Sequence, residues 1–315
     1  MPRVFVTGGN GFIGRHLVQL LTQEGFEVVV YSRQPLVEDT LNVRFISGDV
    51  LDFGSLAESM RGCDTVVHLA AFVSKTGVDP PLRKLVEINV LGSLNVFRAC
   101  VLNNVEKVVN LSTAAIYADG SENVVEEDCI LPKCSYGISK LVVENYARLI
   151  AGLKFVHVRT PLVYGSLDMS NRVLNKLVSN CNSLKPLLLF KGGDQQILDY
   201  IHVHDLCSFI MYALRNAEVD LKVFNISGGE PVKVGDLAHI LSKIYKDEFA
   251  QNVAVVVEDV RCGEFSRVIP TLKRTHVEVK GCSLSIQRAL STTAWKPKYT
   301  LYSGLLDYIS STRKI

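Results

Sequence analysis

Tyr136 and Lys140 stand four residues apart in Tyr136-Gly137-Ile138-Ser139-Lys140, a stretch that reads as helix. Residues at i and i+4 share a helix face, so a phenol and an ammonium can act on one bound molecule. A free phenol titrates near ~10 and exchanges protons poorly at neutral pH, but a neighbouring cation favours the phenolate and lowers that value. The pair can therefore move a proton at a carbonyl or an alcohol. The spacing is common by chance, and its weight depends on what accompanies it.

A second chemical feature opens the chain. Thr7-Gly8-Gly9-Asn10-Gly11-Phe12-Ile13-Gly14 follows one apolar run and starts an amphipathic one, with Gly8, Gly11 and Gly14 at Gly-x-x-Gly-x-x-Gly spacing. Such a loop turns tightly, lets backbone N–H groups approach a pyrophosphate, and places it at a helix N-terminus carrying partial positive charge. A dinucleotide is the expected ligand, with Gly8, Asn10, Gly11, Phe12 and Ile13 as its contacts. An acidic residue ending the second strand would bind the adenosine ribose of NAD, whereas Ser32-Arg33 leaves room and charge for a 2′-phosphate. NADP(H) is thus the expected cofactor, with NAD(H) as the alternative. Asp49-Val50 follows the third strand, where a carboxylate can accept from the adenine amino group. His68-Leu69-Ala70-Ala71 ends the fourth, where Leu69, Ala70 and Ala71 let the cofactor approach the backbone.

The elements that must position these groups follow from periodicity. Arg3 to Thr7, Glu27 to Tyr31, Val43 to Ile46, Thr65 to Leu69, Lys107 to Leu111 and Phe155 to Arg159 read as buried strands. Amphipathic segments at Gly11 to Gln23, Ser55 to Met60, Leu82 to Asn103 and Ser135 to Ala151 read as helices between them. This alternation predicts an α/β fold, a doubly wound parallel (Rossmann) sheet with its ligand beyond the carboxyl ends of the strands. After Tyr164-Gly165 the alternation breaks into helices near Asn171 to Ser179, after His204, from Val234 to Tyr245 and from Tyr302, with strands at Lys222 to Ile226 and Val253 to Val257. Residues 1–165 are therefore expected to form the dinucleotide-binding domain, with some later segments returning to it. Residues 166–315 are expected to form mainly a smaller substrate lobe, and the cleft between the two is the expected ligand site.

Composition excludes several classes of partner. With 34 basic and 32 acidic side chains the net charge is +2, which gives no electrostatic reason to expect nucleic acid or an anionic membrane. The eight cysteines (Cys63, Cys100, Cys129, Cys134, Cys181, Cys207, Cys262 and Cys282) have no Cys-x-x-Cys spacing and read as reduced thiols of a cytoplasmic protein. No uninterrupted apolar run approaches the ~20 residues that span a bilayer. His202 and His204, at i and i+2 with no third ligand in register, make a poor metal site, so no metal is expected.

Taken in order, these motifs resemble the extended short-chain dehydrogenase/reductase family, the group of nucleotide-sugar epimerases, dehydratases and 4-ketoreductases. The resemblance runs over nearly the whole chain: the glycine loop, Asp49, His68 to Ala71, Asn89 in Ile88-Asn89-Val90-x-Gly92, Ser112-Thr113-Ala114-Ala115-Ile116-Tyr117, Glu127, Pro132 and Tyr136-x-x-x-Lys140. It implies that Tyr136 is the acid-base group on a substrate oxygen, that Thr113 hydrogen-bonds the same oxygen, and that Lys140 binds the nicotinamide ribose and helps lower the Tyr136 pKa. Asn89 becomes a further cofactor-site residue. Hydride would pass between nicotinamide C4 and a substrate carbon as the proton passes through Tyr136.

The resemblance also implies substrate contacts. Ser74 lies where family members contact the sugar, Asn171 opens the helix that meets the substrate diphosphate, and Arg261 in Arg261-Cys262-Gly263-Glu264 supplies a phosphate-binding guanidinium. A second phosphate-binding Arg of the family is Leu198 here, with Gln195, Gln196 and Arg172 as nearby replacements, and the Asn usual before Val-Tyr-Gly is Leu162. Ser74, Thr113, Asn171, Gln196 and Arg261 are thus the candidate contacts for a nucleotide-diphosphate sugar. Family dehydratases carry Asp-Glu where this chain has Ala114-Ala115, which disfavours dehydration. A reductase consumes NADPH at each turnover whereas an epimerase recycles one bound cofactor, so Ser32-Arg33 favours a 4-ketoreductase over a C4-epimerase. Reduction of a non-sugar ketone, and NADP(H) sensing without chemistry, are the further alternatives. Family members pair the helices beginning near Leu82 and Ser135 with a second copy, so a homodimer is expected.

Overall fold

The computed structural model describes residues 2–34, 42–73, 81–170, 172–220, 222–258 and 282–313. Its first strand shows how the sequence builds the sheet. In β1 (Arg3–Thr7) successive side chains alternate, so Val4 and Val6 enter one hydrophobic core and Phe5 enters another on the opposite face. The same two-sided burial holds for β2 (Glu27–Ser32), β4 (Thr65–His68), β5 (Lys107–Thr113) and β6 (Lys154–Thr160), while β3 (Val43–Ser47) is an edge.

Helix α1 (Phe12–Gln23) covers the first face, and α2 (Phe53–Ser59), α3 (Leu82–Leu102) and α4 (Ser135–Ala147) cover the second. The middle of α3, Val86–Leu91, is wound as a π-helix. After β7 (Leu162–Tyr164) come α5 (Val173–Asn182), β8 (Leu187–Phe190), β9 (Ile197–Leu198), β10 (Tyr200–His202) and α6 (Val203–Arg215). Then β11 (Lys222–Asn225) joins the main sheet beside β6, giving seven parallel strands in the order β11-β6-β5-β4-β1-β2-β3. The order reverses between β1 and β4, which makes their carboxyl ends the crevice of the sheet.

The segment from α6 through β11 thus returns to the first half, with Leu206, Phe209 and Ile210 packed on the same core as α1. A separate core, containing Leu177, Leu237, Leu241, Leu305 and Ile309, is built by α5, α7 (Val234–Phe249) and α9 (Leu301–Thr312) around β8 and β13 (Val255–Glu258), while Ala289 of α8 (Gln287–Thr292) packs in the first core. The short strands β7, β8, β9 and β10, together with β12 (Val232–Lys233), were not anticipated, because two to four residues are too few to express a period. By length and mean hydropathy α3 could cross a bilayer, but Asn89, Ser93, Asn95 and Arg98 interrupt its apolar residues and in this fold half of it is buried.

Candidate active site

The glycine loop is fixed by contact as well as by φ. Gly8 has φ +70°, and a Cβ there would lie 2.8 Å from the Ala70 nitrogen; at Gly14 a Cβ would lie 2.4 Å from the Gly8 oxygen. The segment after β4 can touch the loop only because Gly8 lacks a side chain, and α1 can close on the loop only because Gly14 does. Thr7 Oγ1 accepts from the Ala70 N–H at 3.2 Å and contacts His68 Nδ1 at 2.7 Å, while His68 Nε2 meets Ser93 Oγ at 2.8 Å. Complete burial pushes His68 down to about 3, so it is a neutral spacer between strand and helix.

Gly11 caps α1 with no side-chain acceptor for the first-turn N–H groups. An uncapped twelve-residue helix at the sheet crevice, with a loop that any Cβ would fill, fits the pyrophosphate of a dinucleotide. Arg15 Nε donates to both the backbone and side-chain oxygens of Asn10, and Asn10 Nδ2 donates to the Gln34 carbonyl, joining the loop to the strand end that carries Ser32 and exposed Arg33. Phe12 and Ile13 pack partly on the first core. Asp49 uses Oδ1 to accept from the Leu51 N–H at 3.0 Å, and Val50 lies against Gly92 of α3, where a Cβ would be 2.6 Å from Val50 Cγ2.

Asn89 has a different task from the one expected. Its oxygen accepts from the Phe72 N–H at 2.6 Å, and its two amide hydrogens go to the Phe72 carbonyl and Ser139 Oγ. The π-turn aims Asn89 inward, where it holds the segment after Leu69, Ala70 and Ala71 against α4 rather than offering a hydrogen to a ligand.

Thr113 ends β5, with Oγ1 accepting from the Ala115 N–H at 3.2 Å. Helix α4 sits directly on that turn because Gly137 has no side chain: a Cβ there would lie 2.2 Å from the Ala115 oxygen. Cys134 caps the helix, its sulfur accepting from the Gly137 N–H at 3.3 Å. Strand end, turn and helix start thereby bring Thr113 and Tyr136 to one side of the crevice.

The electrostatics of Tyr136 differ from expectation. Desolvation pushes its phenol up to about 12, the Arg172 guanidinium opposes that, and Cys134 adds to it. The buried ammonium of Lys140 donates to the Leu111 carbonyl at 2.8 Å. Burial brings Lys140 itself down to about 8, with Glu144 holding it up. Arg172, at the N-cap of α5 in the lobe, donates to the Val163 carbonyl.

One set of residues escaped the sequence reading. Glu144, one helical turn beyond Lys140, is fully buried; it accepts from Ser112 Oγ at 2.5 Å and from Arg159 Nε and Nη2 at 3.2 and 2.7 Å. Arg159 Nη1 donates to Tyr117 Oη and to the Glu126 carbonyl, and Tyr117 donates to Asn225 of β11. Leu111 and Ser112 are thus both tied to α4, which sets the register of Thr113 against Tyr136. The signal was present as a Glu at i+4 from Lys140 and an Arg at a strand end, but nothing in their spacing says that they meet.

On the lobe side Ser74, Asn171 and Arg261 lie outside the described residues. Gln196 is half-buried beside β9, and its carbonyl accepts from the Val234 N–H at 3.0 Å. Leu198 is buried in the lobe core opposite Val232, so the position where the family has an Arg is apolar packing here. His202 and His204 do acquire a third neighbour that their spacing could not reveal, Asp307 of α9.

The family model described as NAD dependent epimerase/dehydratase matches residues 4–227. The dTDP-4-dehydro-6-deoxyglucose reductase of Escherichia coli is 27% identical over 334 residues, covering 98% of this chain and 97% of that one. Among solved structures, MoeE5 in complex with UDP-glucuronic acid and NAD is 26% identical with a TM-score of 0.84, and covers 99% of both chains. The UDP-glucose 4-epimerase of Thermotoga maritima with UDP-glucose is likewise 26% identical, at a TM-score of 0.82 and 99% of both chains. With the glycine cradle, the strand-end Thr113 and the Tyr136–Lys140 helix placed on such a sheet, the chain belongs to the NAD dependent epimerase/dehydratase family and is an NAD(P)-dependent enzyme of the oxidoreductase/epimerase type.

Proposed function

We propose that this enzyme reduces the 4-keto group of a nucleotide-activated 6-deoxy sugar with NADPH. The observation that carries this reading is the end of β2, where Ser32 is followed by an exposed Arg33 in place of a carboxylate that would bind an adenosine ribose. A reductase consumes NADPH at each turnover whereas an epimerase recycles one bound cofactor, so a site suited to a 2′-phosphate serves reduction. The end-to-end similarity to a dTDP-4-dehydro-6-deoxyglucose reductase supports the same choice.

When bound, the nicotinamide supplies hydride to the carbonyl carbon and is oxidised in doing so. The O–H bond of Tyr136 breaks as its proton passes to the carbonyl oxygen, the product is the alcohol, and the phenolate regains a proton from solvent. Thr113, whose oxygen already accepts from the Ala115 N–H, keeps its own hydrogen to donate to the same substrate oxygen. Lys140 is a cation below about pH 8 and would hold the nicotinamide ribose. Gly8, Asn10, Gly11, Phe12 and Ile13 would cradle the pyrophosphate, and exposed Arg33 beside Ser32 would meet the 2′-phosphate. Arg172, exposed at the start of α5, supplies a cation for the substrate diphosphate that Leu198 does not.

A second reading, C4-epimerisation with a retained NAD, is favoured by the similarity to MoeE5 with NAD and to a UDP-glucose 4-epimerase. Stoichiometry decides. The reductase reading requires loss of NADPH absorbance with a nucleotide 4-keto-6-deoxyhexose. It fails if that substrate is inert while a nucleotide hexose interconverts with its C4 epimer without added cofactor. The assembly we propose is a homodimer through α3 and α4, which expose Leu82, Val86, Leu91 and Val101 on one helix and Ile138 and Tyr146 on its neighbour. Light scattering would test it.

A further inference from the structure

We propose that His202, His204 and Asp307 form a binding site for a divalent transition-metal ion, Zn2+ being the ion that suits two imidazoles and one carboxylate. The three residues lie far apart in sequence but offer ligand atoms that all fall within 4.8 Å of one another. The central observation is His202, which is 2 % exposed and has no hydrogen-bond partner at either ring nitrogen among the described residues. Buried imidazole nitrogens are ordinarily satisfied, so a pair of orphans calls for a partner. His202 Nε2 lies 3.2 Å from Asp307 Oδ2, close enough for an ion pair but not aligned as a hydrogen bond. That separation is near the edge of about 3.3 Å that a tetrahedral Zn2+ with bonds of ~2.0–2.1 Å imposes on two of its ligands.

The surroundings hold the set in place. The His202 ring lies against Tyr299 with centroids 4.0 Å apart, and Tyr164 meets it edge-on at 5.3 Å. Gly304 allows α9 to approach: a Cβ there would be 3.4 Å from His202 Cδ2 and would collide with Tyr164 Oη. Asp307, three residues on, shares that helix face. Tyr299 Oη contacts His204 Nδ1 at 3.3 Å, an outer-shell contact of the kind that fixes a ligating imidazole. His16 stacks edge-on to His204 at 5.1 Å, with Nε2 bonded to the Ser166 carbonyl at 2.8 Å.

His204 is exposed and Asp307 half-exposed, so water can complete the coordination. The start of α6 places partial positive charge here, which opposes a cation, and the Asp307 carboxylate offsets it. Because His202 and His204 stand at the junction of β10 and α6 and Asp307 stands on the lobe helix α9, a bound ion would tie the lobe to the sheet domain.

The test uses the full chain freed of metal by a chelator and titrated calorimetrically with Zn2+. One equivalent should bind and raise the melting temperature. His204→Ala and Asp307→Asn, both at solvent-facing positions, should each weaken binding at least tenfold, since loss of even an outer-shell partner costs roughly ten- to a hundredfold. Co2+ in place of Zn2+ should give the visible absorption of a four-coordinate ion in the wild type alone. Absence of a one-to-one site, or equal binding by the wild type and both variants with their circular dichroism unchanged, would overturn the proposal.

Discussion

Two buried polar clusters in this molecule have opposite states of satisfaction. Around Glu144 and Arg159 the carboxylate oxygens and the guanidinium nitrogens named above have partners, and the chain of bonds runs from Ser112 through Tyr117 to Asn225. Around His202, two ring nitrogens as deeply buried have none among the described residues. A satisfied network in a low-dielectric interior is rigid and sets a register, whereas orphaned donors and acceptors keep unused binding capacity. The first cluster stands beneath the candidate catalytic helix and positions it. The second stands where lobe and sheet meet and is free to take a ligand.

If the first cluster positions chemistry, its largest consequence is at Tyr136. Tyr136→Phe is expected to lower turnover by roughly 10²–10⁴-fold while NADPH still binds; near-full turnover in steady-state assays would remove the assignment. Next in size is the network itself. Arg159→Leu leaves a buried carboxylate unpaired and should cost about 3–5 kcal/mol in urea unfolding, much of it recovered when Glu144→Gln is added. A loss as small as that of a surface substitution would mean that the two clusters do not differ.

A smaller effect is expected in pH. Burial lowers Lys140 from its ordinary 10.5 to about 8 in the folded chain, so the cation is present below about pH 8 and is lost above it. Cofactor affinity should fall as pH rises through 8, by at most about tenfold per pH unit, and Lys140→Met should flatten the profile. Stability has the opposite sign. Between about 8 and 10.5 the unfolded chain holds this proton more tightly, so the Lys140 contribution to stability increases with pH in that window. The smallest effect is at the orphaned cluster: in the metal-free protein His202→Phe should change stability by under about 1.5 kcal/mol, since an aromatic ring of similar shape replaces nitrogens that bond nothing. A loss as large as that at Arg159 would show that His202 is satisfied after all.

Much of the sheet domain could be read from the chain because its signals are local. The Val-rich strands, the amphipathic runs and the glycine loop each occupy a few consecutive residues, and the structure places them within one or two residues of their expected ends, except at the end of α4, which stops at Ala147. The site was less legible. Tyr136 and Lys140 do share a helix, but that the ammonium bonds the carbonyl of Leu111 on β5 could not be read from their spacing. Asn89 was read as a cofactor contact, and its amide is instead taken up by Phe72 and Ser139. Spacing showed no third ligand in register with His202 and His204 for the same reason, since their third neighbour, Asp307, lies on the last helix.

The sequence alone determined the parallel α/β fold, the dinucleotide cradle and the residue types available for proton transfer, because backbone freedom at glycine and the two periods of burial are properties of neighbouring residues. Tertiary structure decided which groups bond one another: Glu144 with Arg159, Lys140 with Leu111, His202 beside Asp307. Those pairings depend on how helices settle on the sheet and on where Gly137 and Gly304 permit close approach, distances that no spacing along the chain encodes.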